Sequence, residues 1–170
     1  VNPGYVNELN KQSPFYANYG YTPTDVRATT GTNANDFIIT LLSATNDPRL
    51  GRFFEPAGSG YFGNVYGLPA GDLFSGASTS YFGPGIISSP TQDQWIMPSY
   101  ESLFFLAEAQ ARGWIVGDAA ATFRTAIRES FLLLGVEQDI DAKVDDYMEN
   151  SGVADYAGAT TLNDRIDLIL

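Results

Sequence analysis

From Pro98 onward, apolar residues recur at helical spacing. In "MPSYESLFFLAEAQARGW", Leu103, Leu106 and Ala107 repeat on one face, Ser99 is placed to cap the helix and Gly113 to end it. Asp118 then offers an N-cap for a second helix carrying Ala121, Ile127, Phe131 and Leu134, which stops at Gly135. A third, acidic helix is predicted over Glu137–Asn150, with Ile140, Val144 and Tyr147 on one face, and a fourth begins at Thr160 or Thr161. Earlier in the chain, Phe37, Ile38, Leu41 and Leu42 suit a short helix over Asn35–Ala44, capped by Asn33 or Asn35 and closed by "TNDPRL", because the residue before Pro48 avoids helical geometry.

The rest lacks that period. Val1–Asn33 is polar and aromatic, with Phe15, Tyr16, Tyr19 and Tyr21 crowded between Pro14 and Pro23. It reads as irregular or extended, with a turn at Asn18-Tyr19-Gly20. Arg49–Trp95 is a long irregular segment punctuated by Gly and Pro, with short strands allowed at "RFFEP" and "GNVYGLP". Its aromatic content argues against disorder, and a connection of that length often serves function.

The first two C-terminal helices form one unit. Ala107, Ala109 and Ala111 make a small-residue seam, Ala119-x-x-x-Phe123 opens the second helix and Ala126 follows. Small residues let backbones approach while Phe104, Phe123 and Phe131 fill the gaps, the pattern of tetratricopeptide hairpins. On pattern alone, a generic helical hairpin stays open. The expected fold is mostly α: tetratricopeptide-like hairpins of an α/α superhelix with long irregular loops. Residues 1–97 form a loop-rich aromatic segment with one short helix and residues 98–170 a helical segment, together one structural domain. One repeat cannot bury its apolar face alone, and "LNDRIDLIL" continues to the last residue. The chain is therefore expected to be part of a larger protein.

Composition narrows the chemistry. The 170 residues carry a net charge of −11 and neither Cys nor His. Such acidity opposes phosphate backbones and anionic lipid headgroups, so nucleic-acid partners are not expected. Thiol and histidine chemistry, disulfides and Cys/His zinc sites are excluded within the chain. Carboxylates, Lys and Tyr remain. Glu101 and Glu108, seven residues apart, share a helix face; two carboxylates are what a glycosidase needs, but Glu108 is better placed to bond a neighbouring turn or Arg112. Asp139–Asp146 ("DIDAKVDD") has the spacing of a solvated acidic face, and Asp47-Pro48-Arg49 that of a turn with room for an ion pair. No metal or cofactor is expected.

Sugars offer apolar C–H faces to flat rings and hydroxyl edges to amides or carboxylates. Tyr61, Phe62, Tyr66, Tyr81 and Phe82, with Asn64 and Asp72 as polar partners, are the candidate binding residues. Phe15, Tyr16, Tyr19 and Tyr21 form a second cluster. The competing reading is that these rings pin loops onto helices. Trp95 and Trp114, beside helix ends, read as core.

The segment "QDQWIMPSYESLFFLAEAQARGWIVGDAAATFRTAIRESFLLLGV" closely resembles the SusD/RagB-like outer-membrane lipoproteins of Bacteroidetes, whose members carry a "P-x-Y-x-E-x-x-F/L-x-x-A-E-A-x-x-R-G" helix followed by a "Y/F-x-x-x-I-x-x-S" helix. "TNDPRLGRFF", "YGLPAG", "NPGYVNE" and "SPFYANYG" are similar to family segments in the same order. The resemblance spans essentially the whole chain and corresponds to a middle-to-C-terminal slice. It implies a non-catalytic protein of the cell outer membrane. Such a protein is surface-exposed and lipid-anchored through a cysteine outside this chain. It captures oligosaccharides or other nutrients on loops and hands them to a TonB-dependent transporter. A helical protein-interaction scaffold without sugar binding, and a carboxylate glycoside hydrolase, are the alternatives.

Overall fold

The computed structural model describes residues 1–69 and 78–170. Among them are seven helices: α1 (Pro14–Tyr19), α2 (Asp36–Ala44), α3 (Leu50–Phe53), α4 (Ser99–Ala111), α5 (Ala119–Leu133), α6 (Ile140–Asn150) and α7 (Leu162–Ile169). Extended pairing among the described residues is limited to four isolated bridges. The fold is mostly α, as the periodicity predicts. The chain divides into two compact units, one of Val1–Ser43 with Arg49–Ile96, the other of Ala44–Pro48 with Met97–Leu170.

In the second unit, α4 lies against α5 and α7, and α5 against α6. The Asp118 carboxylate accepts the Ala121 N–H (3.1 Å) at the start of α5, supplying a partner for one of the helix's orphan donors. Phe123, Ala126, Ile127, Ser130 and Phe131 are then buried in an i, i+3, i+4, i+7, i+8 pattern. Phe123 and Phe131 anchor a core completed by Ala107, Val144 and Tyr156. Burial of each of these rings contributes about 1.5–3 kcal/mol. Phe104 meets Phe123 edge-on at 5.8 Å, across the contact where Ala107 lets the helices close. Gly113 (φ +72°) and Gly135 (φ +81°) stand just past the ends of α4 and α5 in the left-handed region that favours glycine. Thr161 starts α7 with a capping box: its hydroxyl accepts the Asp164 N–H (3.1 Å) and the Asp164 carboxylate accepts the Thr161 N–H (2.9 Å).

Several local expectations are corrected. The N-cap position of α4 is Pro98, and Ser99 is already helical. α6 starts at Ile140 rather than Glu137, because Asp139 takes a left-handed conformation (φ 54°). Residues 14–19 are helical, not irregular: Pro14 presets the first turn and Phe15 packs on Tyr19 four residues later at 4.9 Å. "RFFEP" is no strand, since α3 takes Arg52 and Phe53, and only Phe54 turns extended to pair with Phe82. In "GNVYGLP" a single residue, Asn64, makes a bridge. Trp95 and Trp114 are not core; they are 46% and 72% exposed. Both stand on connections outside the helices, where neither falls on a buried helical face, and Trp114 is flanked by the Arg112 guanidinium 5.3 Å from its ring. The acidic face of α6 is exposed but engaged: Arg124 reaches Asp145 at 2.7 Å and Arg128 reaches Asp141 at 3.1 Å.

The first unit has a smaller core of Ala34, Ile39, Leu42 and Phe54. Its loops are fixed chiefly by backbone pairing between distant segments, which sets the positions of the candidate rings.

Candidate functional site

The ring-bearing segment at residues 61–66 is sewn between two others. The Asn64 N–H donates to the Ala34 carbonyl (2.9 Å), and the Asn64 carbonyl accepts the Asp36 N–H (2.9 Å). Ala34 N–H in turn donates to the Ser80 carbonyl and Ser80 N–H to the Phe62 carbonyl, each at 2.8 Å, while the Ser80 hydroxyl accepts the Phe62 N–H at 3.1 Å. This close approach needs a glycine. A Cβ on Gly63 would stand 2.4 Å from the Asn35 carbonyl carbon, well inside contact distance.

The candidate residues part company on this frame. Phe62 is 49% exposed and Tyr66, beside the left-handed Gly67, is 93% exposed. Tyr61 turns inward onto the Ile39–Phe54 core, as does Phe82. Phe82 also meets Phe15 and Tyr19 at 5.7 Å each. Asn64 is partly buried in the stitch described above. Tyr81 is half-buried with the Arg27 guanidinium 4.1 Å from its ring centroid. Asp72 lies outside the described residues, as does Phe74. Two rings thus face water, while two brace the core and one is covered by a cation.

Arg27 is the polar hub that the sequence conceals. Its Nη2 donates to the Tyr21 hydroxyl (2.7 Å) and to the Glu55 carboxylate (2.6 Å), and its Cζ stands 4.8 Å from the Tyr21 ring. The guanidinium is therefore held by rings and a carboxylate together, an arrangement suited to Arg. Its Nη1 is buried and has no hydrogen-bond partner. Arg27, Glu55 and Tyr81 are far apart in sequence and belong to no motif; only the antiparallel bridges Tyr21–Arg27 and Phe54–Phe82 bring them together. Nearby, burial first, then Asp25 and Tyr21, push the Tyr16 phenol above its ordinary pKa, so it stays a neutral hydroxyl at physiological pH.

The carboxylates of α4 are arranged differently. Glu101 is exposed in the first turn, and Glu108 is paired with Arg112 at 2.7 Å. Seven residues of helix place them about two turns apart, roughly 10.5 Å of backbone rise along the axis. Among the described residues, no group of three or more acidic side chains is placed to hold a metal ion. Among the described residues, no helix is long and apolar enough to cross a membrane.

Several solved structures share this fold. An outer-membrane protein of Bacteroides vulgatus ATCC 8482, whose inferred role is nutrient binding, matches with a TM-score of 0.75 at 21% identity, covering 97% of this chain and 39% of its own. A SusD homologue of Bacteroides fragilis NCTC 9343 matches at 0.69 and 24% identity, covering 97% and 39%. A chitin-binding protein matches at 0.55 and 23% identity, covering 79% and 35%. At these identities the likeness establishes the fold. No curated protein matches the chain. The family follows from the sequence match: residues 5–168 fit the SusD-like family, described as starch-binding and associating with the outer membrane, and the chain belongs to it. It spans about two fifths of the length of the two Bacteroides structures.

Proposed function

We propose that this chain is part of a non-catalytic protein of the outer-membrane surface that captures oligosaccharides or related nutrients and passes them to a TonB-dependent transporter. Family membership over residues 5–168 supports the class. The observation that carries the binding role is the pair of water-facing rings, Phe62 and Tyr66, on a backbone already fixed by its pairing to residues 34–36 and 80. A ring held in place before the ligand arrives loses little freedom on binding, which suits recognition of the apolar face of a sugar. The names of the matched proteins, one inferred to bind nutrients and one chitin-binding, agree with this. The pairing of Glu108 with Arg112 speaks against hydrolysis.

Affinity electrophoresis of the purified chain through gels containing starch, soluble chitin derivatives and other polysaccharides tests the proposal. Retardation by at least one glycan, reduced about tenfold or more in apparent affinity by the double substitution Phe62→Ala/Tyr66→Ala, is expected. An unretarded chain would favour a second reading, a helical protein-interaction scaffold, for which the exposed Phe105, Trp114 and Val116 are the supporting observation.

A further inference from the structure

We infer a second sugar subsite in the loop unit, centred on Trp95 and separate from Phe62 and Tyr66; it rests on the glycan-binding reading above. A recess of about 240 Å³ is lined by Phe15, Ile86, Gln92, Asp93, Gln94 and Trp95. That is below the roughly 300 Å³ at which drug-sized pockets begin, so it has room for a single ring of a longer chain.

The recess has firm walls. The Ser13 N–H donates to the Pro90 carbonyl (2.7 Å), the Gln94 side-chain amide donates to the Ser13 hydroxyl, and the Gln94 N–H donates to the Val1 carbonyl (2.9 Å). The Gln92 side chain is spent within its own loop, donating to the Ile86 carbonyl (3.0 Å) and accepting the Ser88 N–H (2.9 Å). Phe15 is held from behind by Tyr19 and Phe82.

Against these committed groups, three are free. Trp95 is half exposed, stacks on no other ring, and its indole N–H makes no hydrogen bond. The Asp93 carboxylate is exposed and makes neither a hydrogen bond nor an ion pair. The Gln94 side-chain oxygen has no partner either. An indole face beside an open carboxylate and an amide oxygen matches a pyranose, whose C–H face stacks on the ring while its hydroxyls donate to the acceptors. Asp93, in a chain of net charge −11, repels carboxylated sugars. The ligand class is therefore a neutral hexopyranose unit, not a uronate.

Trp95 and Trp114 are the two tryptophans, so Trp114→Phe leaves Trp95 as the single indole reporter. Maltohexaose, cellohexaose, hexa-N-acetylchitohexaose and hexagalacturonate are titrated against this variant by fluorescence, and by calorimetry against the unmodified chain. At least one neutral hexamer should change Trp95 emission saturably, with hexagalacturonate at least tenfold weaker. Trp95→Ala and Asp93→Ala should each weaken calorimetric binding tenfold or more. Asp93→Asn, which keeps an acceptor but removes the charge, should narrow the gap to hexagalacturonate. Unchanged binding after Trp95→Ala, with far-ultraviolet dichroism confirming the fold, overturns the subsite and leaves the glycan-binding function standing. Failure of the unmodified chain to bind any glycan, including those in the gels, removes both. Equal affinity for hexagalacturonate refutes the neutral-sugar assignment.

Discussion

The helical unit and the loop unit hold their rings by different means. Around Phe123 and Phe131, order is local first: caps at Asp118 and Thr161, glycines past the helix ends and an alanine at the crossing bring the rings into one core. Around Ile39 and Phe54, order is long-range. Backbone groups of residues 34–36, 62–64 and 80 satisfy one another, and the rings fall inside or outside according to where that stitching leaves them. A helical face sorts its residues by period, so a ring on that face is buried as a matter of course. A stitched loop sorts them one by one, so neighbours such as Tyr61 and Phe62 take opposite roles. Phe62 and Tyr66, the exposed rings proposed to meet a sugar, lie where the second regime applies.

The contrast can be broken at three points. Phe131→Ala, at a site with 0% exposure, should cost the most, about 3–5 kcal/mol, read by urea or guanidinium unfolding. The loss should follow the helical signal. Gly63→Ala comes next. The added Cβ meets the Asn35 backbone and should cost about 1–3 kcal/mol, with faster hydrogen exchange at the Asn64 and Ser80 amides. If exchange at those amides is unchanged, the stitch is not what fixes the loop.

Thr161→Ala is the smallest, about 1 kcal/mol from loss of the capping box. It also carries a pH signature. The Thr161 N–H first, and then its hydroxyl, hold the Asp164 carboxyl below its ordinary pKa. A group depressed in the folded state adds stability above its unfolded pKa and loses it as pH falls through the folded one. The stability difference between the unmodified chain and Asp164→Asn should therefore be full at neutral pH and shrink on acidification. A pH-independent difference would mean that the carboxylate does not cap α7.

Particular residues mark how far the pattern could be read. Asp118 as cap, Gly113 and Gly135 as stops, and Phe123 and Phe131 as core are legible, because each depends on residues within about two turns, while the start of α7 is legible only as Thr160 or Thr161. Helix α1 was hidden by its aromatic density, although Pro14 and the Phe15–Tyr19 spacing were there to signal it. Arg27 left no trace, since Glu55 and Tyr81 meet it only after the bridges form. Trp95 reads as core in the sequence, because a large apolar residue near a helix end resembles core until its surroundings are known, yet it is half exposed.

The sequence by itself determined the helical character of α2 and α4–α7, the glycine stops after α4 and α5, and the family, all of which are written in short-range spacing and composition. Tertiary structure alone decided which rings meet water. Whether Tyr66 or Tyr61 faces outward depends on backbone partners from distant segments, and no local period encodes that choice.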